Sequence, residues 1–275
     1  MPATALDSLI FRDIFSTEAM RRVFSDEART GYCLEFEAAL ARAQAHLGII
    51  PEKAAREIEA KCRIENIDLN KLKQQTERIG YPILGVVQQI VAICAKGLGE
   101  WCHWGATTQD ITDTATVMQI RAALDLVEAD MEKIAAALAG LARRYRDTPM
   151  AGRSNLQQAV PITFGFKAAS LLAAFQRHRQ RLAQLRPRVL VGEFAGAAGT
   201  LASLGADGLK VQAELMDELK LGQPEIAWHT VRDRIGEVAC FLGLLTGTLG
   251  KIAMDVKLLM QTEVAEVFEP FAEVA

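Results

Sequence analysis

Two adjacent threonines, Thr107 and Thr108, stand where a short polar loop, Trp101-Cys-His-Trp-Gly-Ala-Thr-Thr-Gln-Asp110, feeds a long segment whose only helix-weakening residue before Arg146 is Gly140. Thr108 or Asp110 is expected to cap the helix that begins there. The first turn of a helix has backbone N–H groups without carbonyl partners and carries the positive end of the helix dipole, so it favours an anion. Two hydroxyls beside it add donors. The chemistry this arrangement suits is the binding of a carboxylate or a phosphate. Helix capping alone needs less than is present. His103 and Trp104 precede the glycine, and two more polar stretches, residues 153–158 and 228–234, border other long helical segments.

The elements that must position these groups read as helices throughout. From Thr108 the pattern predicts a helix of roughly 36 residues, about 54 Å at 1.5 Å per residue, until Asp147-Thr-Pro149 stops it. A second long helix is expected from Pro161 to about 185, and a third from about 234 to 267. Ahead of them come shorter ones over 17–23, 25–47, 51–63, 69–78 and 82–97, and a further one spans 209–219. The 25–47 helix carries an apolar side at Cys33, Phe36, Leu40, Ala43 and Leu47. Glycines recur between Gly192 and Gly208 in a stretch suited to tight turns, with neither the preceding strand nor the lysine of a phosphate loop. No strand alternation is read anywhere, so the fold class is all-α: an N-terminal helical domain over 1–105, then an extended bundle of long helices over 106–275. The bundle has too little chain to cover its own apolar faces, which predicts oligomerisation.

Half of the 275 residues are hydrophobic and Gly plus Pro number 28, so the chain can bury a substantial core. A net charge of −3 gives no reason to expect nucleic acid or an acidic membrane as partner. The arginines between Arg177 and Arg188 lack interleaved aromatics and suit a solvated face or salt bridges between subunits. His178 on that run and His46 near a helix end are expected to face solvent or to sit favourably with the helix dipole, and the three tryptophans to pack the loops. Cys33, Cys62, Cys94, Cys102 and Cys240 form no metal-ligand spacing. Reduced thiols, the absence of a basic-then-apolar leader and the absence of 18 consecutive apolar residues predict a cytoplasmic protein without a membrane span.

Several stretches, in order, resemble the fumarase/aspartase superfamily, in the branch holding adenylosuccinate lyase and the bacterial 3-carboxy-cis,cis-muconate lactonizing enzyme. They are Arg12 with Phe24-Ser-Asp26 and Glu35-Phe-Glu37, then His103-Trp-Gly-Ala-Thr-Thr-Gln-Asp110, Gly152-Arg-Ser-Asn-Leu-Gln-Gln-Ala-Val-Pro-Ile-Thr-Phe-Gly165, Gly196-Ala-Ala-Gly-Thr-Leu-Ala202 and Trp228-His-Thr-Val-Arg-Asp-Arg234. The resemblance covers the whole chain. It implies a homotetramer whose active sites are shared between subunits, acting on a small polycarboxylate with no metal or organic cofactor. It implies abstraction of a proton beside a carboxylate, an aci-carboxylate held by donors, and cleavage or closure of a C–N or C–O bond. Arg12, His103, Thr107, Thr108, Gln157, Arg232 and Arg234 are then the expected substrate contacts, and Ser154 and Asn155 occupy the catalytic pair.

Three departures bear on the reaction. The pair is commonly Thr-His in the family, and Asn155 cannot titrate as that histidine does. Tyr81 and Asp13 stand where adenylosuccinate lyases usually carry a histidine and a tyrosine, which argues against a purine nucleotide. A lactone closure needs no acid for a leaving amine, so the resemblance is greatest to 3-carboxy-cis,cis-muconate cycloisomerase of aromatic catabolism. The alternatives are a fumarate-releasing C–N lyase and a non-catalytic helical oligomer. The sequence also stops at Ala275, before the mobile serine-bearing loop the family would place next, so a fragment with an incomplete bundle is expected.

Overall fold

The computed structural model describes residues 4–270. The N-terminal arm carries two short helices, α1 (Arg12–Phe15) and α2 (Glu18–Val23). Then follow α3 (Asp26–His46), α4 (Glu52–Lys61), α5 (Leu69–Ile79) and α6 (Ile83–Ile93). Each start is written locally: the side chains of Thr17, Ser25 and Asp68 accept the free N–H groups of α2, α3 and α5. The long helix is α7 (Thr108–Arg144), 37 residues, within one residue of the expected length.

After α7 the structure differs from the sequence reading. Strands β1 (Pro149–Ser154) and β2 (Gln157–Thr163) pair antiparallel, with Ser154 opposite Gln157. The fold is mostly helical, yet this hairpin stands where only a polar lead-in was expected. Its two-residue loop puts Asn155 at φ 51° and Leu156 at φ 61°. Two successive positive φ angles make the tight hairpin turn that usually signals itself as Asn-Gly, and a leucine hides it.

The helix α8 (Phe164–Val189) runs past the expected end and contains Pro187, and α9 (Gly208–Leu219) follows. The last helix, α10 (Asp233–Leu259), stops well short of residue 267. There the chain turns back: the Leu259 carbonyl accepts N–H groups from Glu266 and Val267, and Ala265 takes φ 51°. The expectation attached to residues 273–275 lies outside the described residues.

Two compact units divide the chain, and neither is continuous in sequence: residues 1–127 with 187–232, and residues 128–186 with 233–275. In the first, α3 is the centre. Its buried residues include Cys33, Leu34, Phe36, Ala39, Leu40, Ala41 and Ala43, which lie around most of the helix and not on one side. Alanines allow that, because they let neighbours approach from several directions. One face packs with Ile111, Met118, Phe194, Val211, Leu215 and Trp228, the other with Ile58, Leu72, Val86, Ile90 and Cys102.

In the second unit the arginines of α8 pair within the chain, Arg179 with Glu132 at 2.6 Å and Arg186 with Glu128 at 2.6 Å. His178 is buried and its Nε2 lies 2.8 Å from the Thr248 hydroxyl, contrary to the solvent-facing expectation. The helix α10 is long and apolar enough to cross a membrane by length and composition alone. It leaves Leu242, Leu244, Leu249, Met254 and Val256 exposed.

Candidate active site

The polar turn before α7 is built around Asp110. The helix begins at Thr108, so Thr107 is the residue before it and Asp110 reaches back to the Thr107 N–H at 2.9 Å. That is the third-residue half of a capping box. The same carboxylate accepts the N–H groups of Ala195 and Gly196, each at 3.0 Å, and faces His229 Nε2 at 2.7 Å. Gly196 can approach because it has no side chain and takes φ +74°, where a Cβ would stand 3.2 Å from the Gly105 carbonyl. The glycine-rich stretch therefore serves to bring backbone donors onto a buried carboxylate.

Around this centre the neighbouring groups are tightly held. Glu193 is wholly buried and accepts the Trp228 N–H at 2.5 Å through Oε2, while its Oε1 has no hydrogen-bond partner among the described residues. Burial raises the Glu193 carboxyl above its ordinary range, against the lowering effect of the Trp228 N–H and of His229, with Asp110 and Asp113 adding to the rise. The indole N–H of Trp228 donates to the Gly192 carbonyl at 2.9 Å. Gln109 Nε2 donates to the His229 carbonyl at 2.6 Å. A second carboxylate–imidazole pair belongs to the same unit: His103 Nδ1 is 2.7 Å from the buried Glu37. Burial pulls the His103 ring down, but the Glu37 charge and hydrogen bond outweigh it and its pKa is raised.

Of the residues expected to meet substrate, His103, Thr107, Thr108 and Arg232 all belong to the first unit, as does Arg12. The hydroxyls of Thr107 and Thr108 have no hydrogen-bond partner among the described residues. Arg12 lies in α1 with a buried Nε that has no partner among the described residues. Arg232 departs from expectation. Its two terminal nitrogens grip Asp113 at 2.7 and 2.8 Å and its guanidinium lies 5.2 Å from the Trp228 ring centre, so here it secures a buried aspartate and not an open carboxylate site. The second unit holds Ser154, Asn155 and Gln157, all exposed at the hairpin tip, and Arg234 in the first turn of α10. Below that tip Arg153 forms a bidentate pair with Glu266 at 2.7 and 2.8 Å.

Asp113, Glu193 and Glu37 join the site only through the fold. A lone carboxylate among Leu190-Val-Gly-Glu-Phe-Ala195 was one available signal, and a glutamate one turn from Cys33 and Leu40 on an apolar face was another. Asp110, Glu193 and His229 offer ligand atoms within 4.8 Å of one another, which is room for a cation. Each Asp110 oxygen already meets two donors, so an ion would have to displace the imidazole from it.

Comparison with known proteins gives the chain a family. A family model described as Lyase matches residues 14–275. The chain is 60% identical over 259 residues to trans-aconitate decarboxylase 1 of Mycosarcoma maydis, covering 94% of this chain and 52% of that protein. It is 49% identical over 264 residues to 3-carboxy-cis,cis-muconate cycloisomerase of Pseudomonas aeruginosa, covering 95% of this chain and 58% of that one. The crystal structure of 3-carboxy-cis,cis-muconate lactonizing enzyme from Pseudomonas putida superposes with a TM-score of 0.92 at 46% identity, over 96% of this chain and 61% of that chain. The chain thus spans between about half and three fifths of the length of these relatives. A matching family model over nearly the whole chain, together with these likenesses, shows that it belongs to the fumarase/aspartase superfamily of lyases, in the branch of the 3-carboxy-cis,cis-muconate lactonizing enzymes.

Proposed function

We propose that the protein containing this chain is a cytoplasmic, cofactor-independent enzyme that acts beside a carboxylate of a small unsaturated polycarboxylate, most like 3-carboxy-cis,cis-muconate cycloisomerase. The observation that carries it is the turn at the start of α7. Two hydroxyls without partners among the described residues, the end of a 37-residue helix dipole and an imidazole on a shared carboxylate stand together there. Such a turn favours a carboxylate as charge builds on it in the transition state. Thr107 and Thr108 bind that group, with His103 and Arg12 beside it, while Arg232 holds Asp113. Ser154, Asn155, Gln157 and Arg234 come to the same site from other subunits of a homotetramer, with residues 106–275 forming its central bundle and residues 1–105 an N-terminal helical domain. The exposed apolar residues of α10 support that assembly.

A second reading is decarboxylation of an unsaturated tricarboxylate, favoured by the greater identity to the trans-aconitate enzyme than to the named cycloisomerase. Both substrates are tricarboxylates with a carbon–carbon double bond, and both reactions end with a proton delivered to carbon. The test is a parallel assay of the full-length gene product with 3-carboxy-cis,cis-muconate, trans-aconitate and a succinyl-amine compound. Loss of diene absorbance without carbon dioxide supports the cycloisomerase. Carbon dioxide from trans-aconitate moves the protein to the decarboxylases, fumarate release moves it to the C–N lyases, and inactivity on all three removes the proposal.

A further inference from the structure

We propose that the cavity bounded by α3, α5 and α6 binds a small monocarboxylate with an apolar ring or chain, and that Arg29 and Thr30 take its carboxylate. The cavity has a volume of about 430 Å³, within the range of small-molecule sites, and its lining residues all lie in the first unit. Its floor is apolar, with Leu72, Ile83 and Val86 buried there together with Cys33. Such a floor favours a hydrocarbon body over water.

Arg29, half-buried in the wall, supplies the charge. Its Nη1 donates to Gln119 Oε1 at 2.8 Å and to Thr116 Oγ1 at 3.3 Å. Both acceptors are fixed in turn: Gln119 Nε2 donates to the Val23 carbonyl at 2.9 Å, and the Thr116 hydroxyl to the Thr112 carbonyl at 2.7 Å. Neutral groups therefore hold this guanidinium in place, and it makes no ion pair among the described residues. Arg42, Arg153 and Arg232, by contrast, each grip a carboxylate. The donors on Nη2 and Nε of Arg29 are left for a planar anion. Thr30, the next residue, lines the same cavity and is only 7% exposed, yet its hydroxyl has no hydrogen-bond partner among the described residues. A buried hydroxyl without a partner carries a cost that a ligand oxygen removes. Burial holds the Cys33 thiol up at about 12 while the Arg29 charge pulls it down, so that charge is felt at the floor.

The mouth limits how many charges can enter. Asp26, Glu27 and Glu77 stand exposed around it, with Lys73 3.7 Å from Glu77. Three acids against one lysine repel a polyanion, whereas a single carboxylate that reaches past them to Arg29 is compensated there. An apolar body with one carboxylate fits floor, wall and mouth together. Thr107 and Thr108 do not line the cavity, and Thr112 on its wall lies one turn further along α7, so this binding needs no particular reaction at the threonine turn.

The test is calorimetric titration of the full-length protein with benzoate, and with benzamide, which keeps the shape and loses the charge. We expect benzoate to bind with a Kd below about 1 mM and benzamide at least about tenfold more weakly. Arg29→Gln should weaken benzoate by about tenfold or more and Thr30→Val by about threefold or more, while saturating propane-1,2,3-tricarboxylate leaves the benzoate Kd within about threefold. A benzoate Kd above about 1 mM, a smaller gap to benzamide, an unchanged Kd in Arg29→Gln, or displacement by the tricarboxylate overturns the assignment. If the variants do not fold, photolabelling decides. Wild-type protein is irradiated with 4-azidobenzoate and its peptides are mapped by mass spectrometry. Labelling within residues 26–33 or 69–86 that benzoate suppresses supports the site. Labelling confined elsewhere, or none that benzoate suppresses, overturns it.

Discussion

Asp110 accepts three backbone N–H groups and faces an imidazole with none of its own surface exposed, so removing its carboxylate strands four donors at once. Asp110→Ala should therefore cost about 3 to 5 kcal/mol, the scale of breaking a buried charged network, read from the denaturant midpoint. An unchanged midpoint would deny it that role. Glu193 behaves differently. Its folded pKa is raised, so its contribution to stability is present below the ordinary carboxylate range and is lost as pH rises through the folded value. Glu193→Gln mimics the neutral form and should flatten that loss, changing stability by no more than about 1 kcal/mol at acidic pH. Thermal unfolding of both proteins across pH 4 to 8, on the order of the window expected here, checks the sign. These carboxylates were only partly legible from the chain. Asp110 could be read as a cap because capping is local, whereas its burial is decided by Ala195 and Gly196, 85 and 86 residues away. Glu37 and Glu193 read as ordinary charges until the packed helix and the glycine turn enclose them.

Helices were legible where their instructions are local. Ser25, Asp68 and Pro51 each lie immediately before the helix they announce, and α7 ends at its expected stop because Pro149 follows. The hairpin was not, because its turn needs two residues at positive φ and the second is Leu156, 75% exposed. Leu156→Gly should relieve that backbone and stabilise the hairpin by up to about 1 kcal/mol, the cost of a left-handed leucine less the entropy of glycine. Thermal unfolding at fixed protein concentration tests it, and a loss of stability would show that the leucine makes a contact outside its own chain. The end of α10 at Leu259 has a similar cause. The residues after Leu259 are apolar enough to continue a helix, but Glu266 is drawn to Arg153 on the hairpin and the chain folds back to reach it.

At the scale of the molecule the two units should respond to pH in opposite directions. In the first, the raised pKa of His103 means that its pairing with Glu37 stabilises below the ordinary histidine range and is lost as pH climbs through the folded value, as for Glu193. In the second, the Arg153 hydrogen bond lowers the Glu266 carboxyl. Burial raises Asp255, but Lys251 and Lys167 outweigh it and bring it down. Their contributions are present above the ordinary carboxylate range and fade as pH falls through the folded values. Hydrogen exchange read peptide by peptide should show residues 1–127 loosening first toward alkaline pH and residues 233–259 toward acid. Uniform loosening of both would refute it. The discontinuity of the first unit also bears on how the chain is made. Phe194, Val211 and Trp228 complete the packing around α3, yet they are synthesised after the 59 residues from 128 to 186. At about 5 to 20 residues per second that interval lasts roughly 3 to 12 s. During it the nascent N-terminal half presents a greasy, unfinished surface to the ribosome's surroundings, a natural station for a chaperone.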